Sequence, residues 1–255
     1  MRVADKVAIV TGAGQGIGEA SALRLAEEGA SVTCVDVSPD AARQTAESIR
    51  AGGGRAIALT ADVADDDDNR RATEETVQKF GGLDILHANA GVQLMARLEE
   101  TSPEAWDRLH STNLRGVFLG IRHALPFMRQ RGGGSVIITS SLLGIVGDVD
   151  MPAYGATKGG LRAMARSLAA GHGPENIRFN TICPGDVDTP LNIEFLEAQP
   201  DPEGARRAIT ERYPLRRFAS PRDIANVVLF LASDDAAYIN GTDIIIDGGL
   251  LARIY

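Results

Sequence analysis

Seven short apolar runs recur along the chain between longer stretches of helical period: KVAIVT (6–11), SVTCVD (31–36), AIALTA (56–61), LDILHA (83–88), SVIITS (135–140), IRFNTI (177–182) and DIIID (243–247). They are rich in β-branched residues and apolar nearly throughout rather than at alternate positions, the pattern of strands buried on both faces. The stretches between them, such as GEASALRLAEEG and PDAARQTAESIRAGG, end on glycines suited to left-handed helix C-caps. Strand and helix in alternation predict an α/β fold, a doubly wound parallel sheet of seven strands with helices on both faces.

The 255 residues, 44% of them hydrophobic, suffice for one sizeable core, and no linker divides them, so one domain over 1–255 is expected. The acidic run at 65–68 sits at a helix start, where carboxylates favour the dipole. Residues 190–216 differ from the rest: Pro190, Pro200, Pro202 and Pro214 alternate with Leu191, Ile193, Phe195 and Leu196, predicting a mobile substrate lid with helical pieces. Acidic residues outnumber basic ones by 34 to 26, a net charge of -8 that disfavours nucleic acid and anionic membranes as partners. Cys34 and Cys183 lie in separate apolar runs, which predicts buried reduced thiols, neither a disulfide nor a metal site. With no signal-peptide pattern at the N-terminus and no bilayer-spanning stretch, a cytoplasmic location is expected.

Thr11-Gly12-Ala13-Gly14-Gln15-Gly16-Ile17-Gly18 follows the first strand and opens a helix. Glycines there let backbone approach a pyrophosphate, and the helix N-terminus supplies amide donors, so a Rossmann-type dinucleotide site is predicted. The run departs from Gly-x-Gly-x-x-Gly, because Ile17 stands where the third glycine belongs. Asp36 ends the second strand, placed to accept hydrogen bonds from ribose hydroxyls. Asp62-Val63 and Asn89-Ala90-Gly91 follow the third and fourth strands and outline a cleft at the same edge.

At the other end of that cleft, Tyr154 and Lys158 stand four apart in a helical pattern and so share a face. An adjacent ammonium is expected to lower the tyrosine pKa from about 10 and make proton transfer practicable. Ser140 and Ser141 end the fifth strand, where a hydroxyl can meet a substrate oxygen, and Asn113 is a polar residue on an otherwise apolar helix.

Assembled in order, these residues resemble the main branch of the short-chain dehydrogenase/reductase family over nearly the whole chain. Thr11-Gly12 with Gly16 and Gly18 is similar to its glycine motif, which accounts for Ile17. Asn89-Ala90-Gly91, Asn113, Ser141, Tyr154, Lys158, Pro184-Gly185 and Asp247-Gly248-Gly249 fall where the family has its equivalents. The resemblance implies that Ser141 polarises the carbonyl and that Tyr154 is the acid or base. It further implies that Lys158 tunes Tyr154 and binds the nicotinamide ribose, and that Asn113 holds a relay water. Val187 and Thr189 would hold the nicotinamide carboxamide. It also implies a homotetramer or dimer, built through the helix bearing Tyr154 and the one after it; the apolar C-terminal residues Leu250, Leu251, Ile254 and Tyr255 agree with oligomerisation.

Two departures stand out. Ala88, preceded by His87, replaces a second asparagine common in the family, and Gly171 replaces an acidic residue late in the catalytic helix, where it should cost about 1 kcal/mol relative to alanine. The expected activity is hydride transfer between NAD(H) and a secondary alcohol or ketone of rather apolar character. Leu94, Met95, Leu142, Leu143, Val149, Met151, Leu191, Phe195 and Leu196 are the candidate pocket wall. Alternatives are a reductase of carrier-bound 3-oxoacyl thioesters, disfavoured by Asp36, and a nucleotide-binding sensor without chemistry, disfavoured by the intact Ser141, Tyr154 and Lys158. NAD is expected over NADP because Asp36 would repel the extra phosphate of NADP, and because the resemblance implies that Gln15 and Val37 stand where family members that accept that phosphate carry basic side chains.

Overall fold

The computed structural model describes residues 1–252. Its elements are β1 (Val7–Thr11), α1 (Gly16–Glu27), β2 (Ser31–Asp36), α2 (Pro39–Ala51), β3 (Arg55–Thr60), α3 (Asp66–Phe80), β4 (Ile85–Ala88), α4 (Pro103–His110), α5 (Gly116–Gln130), β5 (Gly134–Thr139), α6 (Pro152–His172), β6 (Ile177–Pro184), α7 (Pro190–Glu197), α8 (Pro202–Thr210), α9 (Pro221–Ala232) and β7 (Asp243–Ile246). All seven expected strands are present, their ends within two residues of the apolar runs. They form one parallel sheet in the order β3-β2-β1-β4-β5-β6-β7. The order reverses between β1 and β4, the switch point at which such sheets open a ligand crevice beyond their carboxyl ends.

Local chemistry sets the helix starts. Ser38, Ser102, Thr189, Asp201 and Ser220 each cap a helix with a side-chain oxygen, and each is followed by proline, whose missing N–H costs nothing at the first helical position. Asp65 caps α3 by accepting the Asp68 N–H at 2.9 Å, so the acidic run is a helix start as expected. Within the described residues, α4 and α5 are joined through a π turn (Ser111–Arg115) into one long helix.

Two apolar layers clothe the sheet. On one face α1, α2 and α9 pack through Ala22, Leu25, Ile49, Ile224 and Val228; on the other α3, α5 and α6 pack through Ala72, Ile121, Met128 and Leu161. Phe179 of β6 is fully enclosed, and its truncation to alanine would cost about 3–5 kcal/mol. Gly171 lies in α6 with open space around it, and the helix runs on to His172. Residues 190–216 hold α7 and α8, gathered by Leu196, Tyr213 and Phe218. Leu250 and Leu251 end the described fold on a single 3-10 turn, and Ile254 and Tyr255 lie outside the described residues.

Candidate active site

The turn after β1 is shaped by two glycines in left-handed conformation, Gly12 (φ 63°) and Gly16 (φ 59°). A side chain on Gly18 would collide with the Gly12 carbonyl, whereas Ile17 turns sideways and packs against the apolar core. The third glycine of the general fingerprint is therefore displaced by one position. Gln15 occupies the N-cap of α1 without a side-chain cap, unlike the six capped helices, so the amides of the first turn stay available to an anion. That uncapped turn, with a bare glycine surface before it, fits a dinucleotide pyrophosphate.

Neighbouring turns brace it. Thr11 Oγ1 accepts the Asn89 and Ala90 N–H groups at 2.9 and 3.1 Å, and Asn89 Nδ2 donates to the Thr11 carbonyl at 3.0 Å. Asp36 is fixed by two backbone donors, Gly14 N–H on Oδ2 at 2.9 Å and Ser38 N–H on Oδ1 at 3.0 Å, with further lone pairs left for a ligand. Asp62 stands at the rim and accepts Ala64 N–H at 2.9 Å, while Val63 is buried against Gly116. Across the crevice, a Cβ on Gly16 would come 3.1 Å from Thr189 Cγ2, so the loop Pro184-Gly185 to Thr189 faces the glycine turn directly. Val187 is buried and bridges to Ala219.

The reacting end is assembled from β5, α6 and the π turn. Tyr154 and Lys158 are both buried, and Lys158 Nζ lies 5.4 Å from the Tyr154 ring centre. Nζ donates to the Thr139 carbonyl at 2.9 Å, and Ser140 Oγ donates to the Lys158 carbonyl at 2.9 Å, which ties the strand end to the helix. Ser141 Oγ accepts Leu143 N–H at 3.1 Å and also hydrogen-bonds the Tyr154 hydroxyl. Thus Ser141, Tyr154 and Lys158 converge beside Asn89-Ala90-Gly91 at the carboxyl edge of the sheet.

The structure corrects one expectation about this group. Burial pushes the Tyr154 hydroxyl up to about 12, partly offset by hydrogen bonds from Ser141 and Gln93, and pushes Lys158 down to about 8. Desolvation disfavours both charged forms, and the ammonium is directed to the Thr139 carbonyl rather than to the phenol, so burial and not the ammonium dominates the Tyr154 shift. Asn113 is also more constrained than its sequence suggested. Its Oδ1 accepts Val92 N–H at 2.8 Å, and its Nδ2 donates to the Val92 carbonyl at 2.9 Å and to Thr157 Oγ1 at 3.4 Å. Both amide hydrogens are spent, which leaves a lone pair on Oδ1 as the side chain's remaining capacity.

Of the candidate pocket residues, Leu94, Leu143 and Met151 pack around Tyr154, Phe195 and Leu196 join the cluster under α7 and α8, and Leu142 is buried. Met95, Val149 and Leu191 are exposed. Two residues at the site carried no signal in the sequence reading. Gln93 reaches the Tyr154 hydroxyl, although nothing in its spacing marks it. His87, fully buried in β4, places Nε2 2.9 Å from Thr139 Oγ1, whose single hydrogen goes to Asn89 Oδ1 at 3.1 Å. The imidazole must therefore donate from Nε2; burial holds its pKa near 3, so it stays neutral. His87 thereby supports the Asn89 turn from within the sheet, beside the Ala88 that lacks a hydrogen-bonding side chain.

A nucleotide crevice at the switch point with a Tyr-Lys-Ser group at its far end defines an α/β oxidoreductase of the nicotinamide-dependent kind. The family described as enoyl-(acyl carrier protein) reductase matches residues 12–251, and the chain belongs to the short-chain dehydrogenases/reductases. It is 39% identical to the 2,5-dichloro-2,5-cyclohexadiene-1,4-diol dehydrogenase of Sphingobium indicum, over 97% of both chains. It is 37% identical to the 3-oxoacyl-[acyl-carrier-protein] reductase of Thermotoga maritima, over 98% of this chain and 100% of that one. Its fold is similar to the crystal structure of levodione reductase, with a TM-score of 0.95, 36% identity and 100% of both chains covered.

Proposed function

We propose that this chain is an NAD(H)-dependent oxidoreductase of secondary alcohols and ketones, favouring small alicyclic molecules. The observation that carries this reading is the buried Tyr154 hydroxyl, met by Ser141 and backed by Lys158, facing apolar Leu94, Leu143 and Met151. A carbonyl oxygen between Ser141 and Tyr154 would be polarised by two hydroxyl donors. Tyr154 gives its proton to the developing alkoxide in reduction and takes it back in oxidation, and Lys158 holds the charge that appears beside it. The nicotinamide, when bound, supplies or accepts the hydride. Gly12, Gln15, Gly16, Ile17 and Gly18 would hold its pyrophosphate, Asp36 the adenosine ribose, Asp62 and Val63 the adenine side, and Asn89 to Gly91, Pro184, Gly185, Val187 and Thr189 the nicotinamide half. Ring-bearing substrates named for the Sphingobium relative support the alicyclic preference.

Likeness to a 3-oxoacyl-carrier reductase favours a second reading, thioester reduction, which Asp36 weighs against through its repulsion of NADPH. The direct test follows NADH absorbance with a panel of cyclohexanol, cyclohexanediols and cyclohexanones, against acetoacetyl thioesters with NADPH. Turnover of the alicyclic compounds at least tenfold above the thioesters is expected, and the reverse order would overturn the reading.

A homotetramer is part of the proposal, supported by a groove of about 630 Å³ along α4, α5 and α6 lined by His110, Leu114, Phe118 and Met164, and by exposed Ile245 on the edge strand β7. Light scattering that returned a monomer at micromolar concentration would reject it. Residues 190–216 would serve as the substrate lid, and the cytoplasm as the compartment. In support, no helix among the described residues is long and apolar enough to cross a membrane, and both cysteines are free and buried.

A further inference from the structure

The loop from Gly185 to Thr189, across the crevice from the glycine turn, has its backbone fastened almost completely. Gly185 N–H donates to the Ile246 carbonyl at 3.0 Å, Asp188 N–H to the Ala219 carbonyl at 2.9 Å and Thr189 N–H to the Val187 carbonyl at 2.7 Å. Asp186 N–H goes instead to a side chain, the hydroxyl of Tyr213, at 2.9 Å. Of these five amides, Val187 N–H alone has no protein acceptor among the described residues, which leaves it for a ligand.

Tyr213 is buried in the cluster with Leu196 and Phe218, and its hydroxyl grips Asp186 twice: it accepts the backbone N–H and donates to Oδ2 at 2.7 Å. Burial and the Asp186 carboxylate hold the phenol above its usual pKa range, so it keeps the proton that it donates. Gly185 permits this approach, since a Cβ there would lie 2.9 Å from the Tyr213 oxygen. A third hold on Asp186 is its carbonyl, which accepts Ala219 N–H at 3.0 Å. A trans peptide is planar, so with that carbonyl turned to Ala219 the Val187 N–H points the opposite way. Tyr213 thus supplies two of the three bonds that orient the residue before the open amide. The other lid contact, Arg206 on Asp188 at 2.5 Å, is 44% and 36% exposed, and pairs so exposed contribute little.

Resting on the reading that this loop holds the nicotinamide half of the cofactor, we propose that Tyr213 is a positioning residue: through Asp186 it sets the direction of Val187 N–H, and with it the affinity for the nicotinamide end. The adenosine and pyrophosphate end is left to the glycine turn and Asp36, which Tyr213 does not touch. Losing the hydroxyl strands the Asp186 N–H and frees the carboxylate, so the peptide ahead of Val187 can turn. The cost falls on one half of the dinucleotide.

Calorimetry on wild type, Tyr213→Phe, Asp186→Ala and Asp186→Asn tests this with two ligands, NADH and ADP-ribose, the second of which ends before the nicotinamide. Tyr213→Phe should weaken NADH about 10-fold and leave ADP-ribose unchanged. Asp186→Ala should weaken NADH selectively as well, from the other partner of the bond. Asp186→Asn, whose amide oxygen still accepts the tyrosine proton, should keep most of the affinity. NADH binding unchanged in Tyr213→Phe, or NADH and ADP-ribose weakened equally as a general loosening of the fold would do, overturns the inference while the cofactor reading stands. Wild type that binds NADH no more tightly than ADP-ribose defeats the reading of the loop, and the inference with it. Asp186 is half-buried, so its variants decide the matter should Tyr213→Phe fail to fold, with circular dichroism as the check.

Discussion

Replacing Asp36 by alanine, alone and together with Val37→Arg, tests the proposed preference for NAD at the residue proposed to set it. The carboxylate cannot swing away freely, because Gly14 N–H and Ser38 N–H hold its two oxygens at 2.9 and 3.0 Å. Nearby cationic help is scarce: Val37 is 65% exposed and apolar, and Arg43 is paired with Asp40 at 2.7 Å. The phosphate that distinguishes NADP adds about -1.5 to -2 charge at the ribose. One like-charge pair at 4 Å and an effective dielectric of about 20 is worth about 4 kcal/mol. Solvent at the rim and the two backbone donors reduce this, which leaves about 1.4–4 kcal/mol, or roughly 10- to 1000-fold in favour of NAD. Asp36→Ala should erode the ratio mainly by weakening NAD, which loses its ribose acceptor, and adding Val37→Arg should raise NADP use directly. The assay is kcat/KM for both cofactors on the best alcohol from the panel, at low and high salt, with the preference shrinking as salt rises. Equal efficiencies in wild type would refute the electrostatic reasoning.

Tyr154→Phe should lower turnover by about 10² to 10⁴-fold while NADH affinity, read by fluorescence titration, stays nearly intact; retention of a tenth of the activity would remove Tyr154 from the chemistry. Lys158→Met should abolish most activity yet raise the melting temperature at pH 7. The folded-state pKa of Lys158, about 8, lies below its unfolded value of 10.5, so at neutral pH the fold carries a buried ammonium at a cost of up to about 3 kcal/mol. That cost fades between about pH 8 and 10.5, where the unfolded chain binds more protons and wild-type stability rises, so the stabilising effect of the substitution should fade there too; a pH-independent difference would refute the linkage. His87→Val should weaken NADH binding about 5-fold, through the loss of one buried hydrogen bond behind Asn89, without lowering the melting temperature, since His87 Nδ1 has no partner among the described residues to lose. Unchanged affinity would show that Thr139 orients Asn89 unaided.

Much of the molecule was legible before any coordinate. Strands such as Val7–Thr11, buried at every position, are apolar nearly throughout, so the sheet announces itself in the pattern of apolar runs. Tyr154 and Lys158 share a face because a helix repeats every 3.6 residues, and Gly12, Gly16 and Gly18 are demanded by backbone geometry that few other residues tolerate. These are local consequences, carried by neighbours within one or two turns. Tertiary structure decided what depends on distant partners. The tyrosine pKa goes up because α6 is enclosed, which no spacing reveals. Asn113 spends its amide on Val92, 21 positions away, and His87 reaches Thr139 across 52. Gln93 becomes a neighbour of the Tyr154 hydroxyl only in the fold, since a polar side chain on a loop becomes a site residue through what the fold sets opposite it.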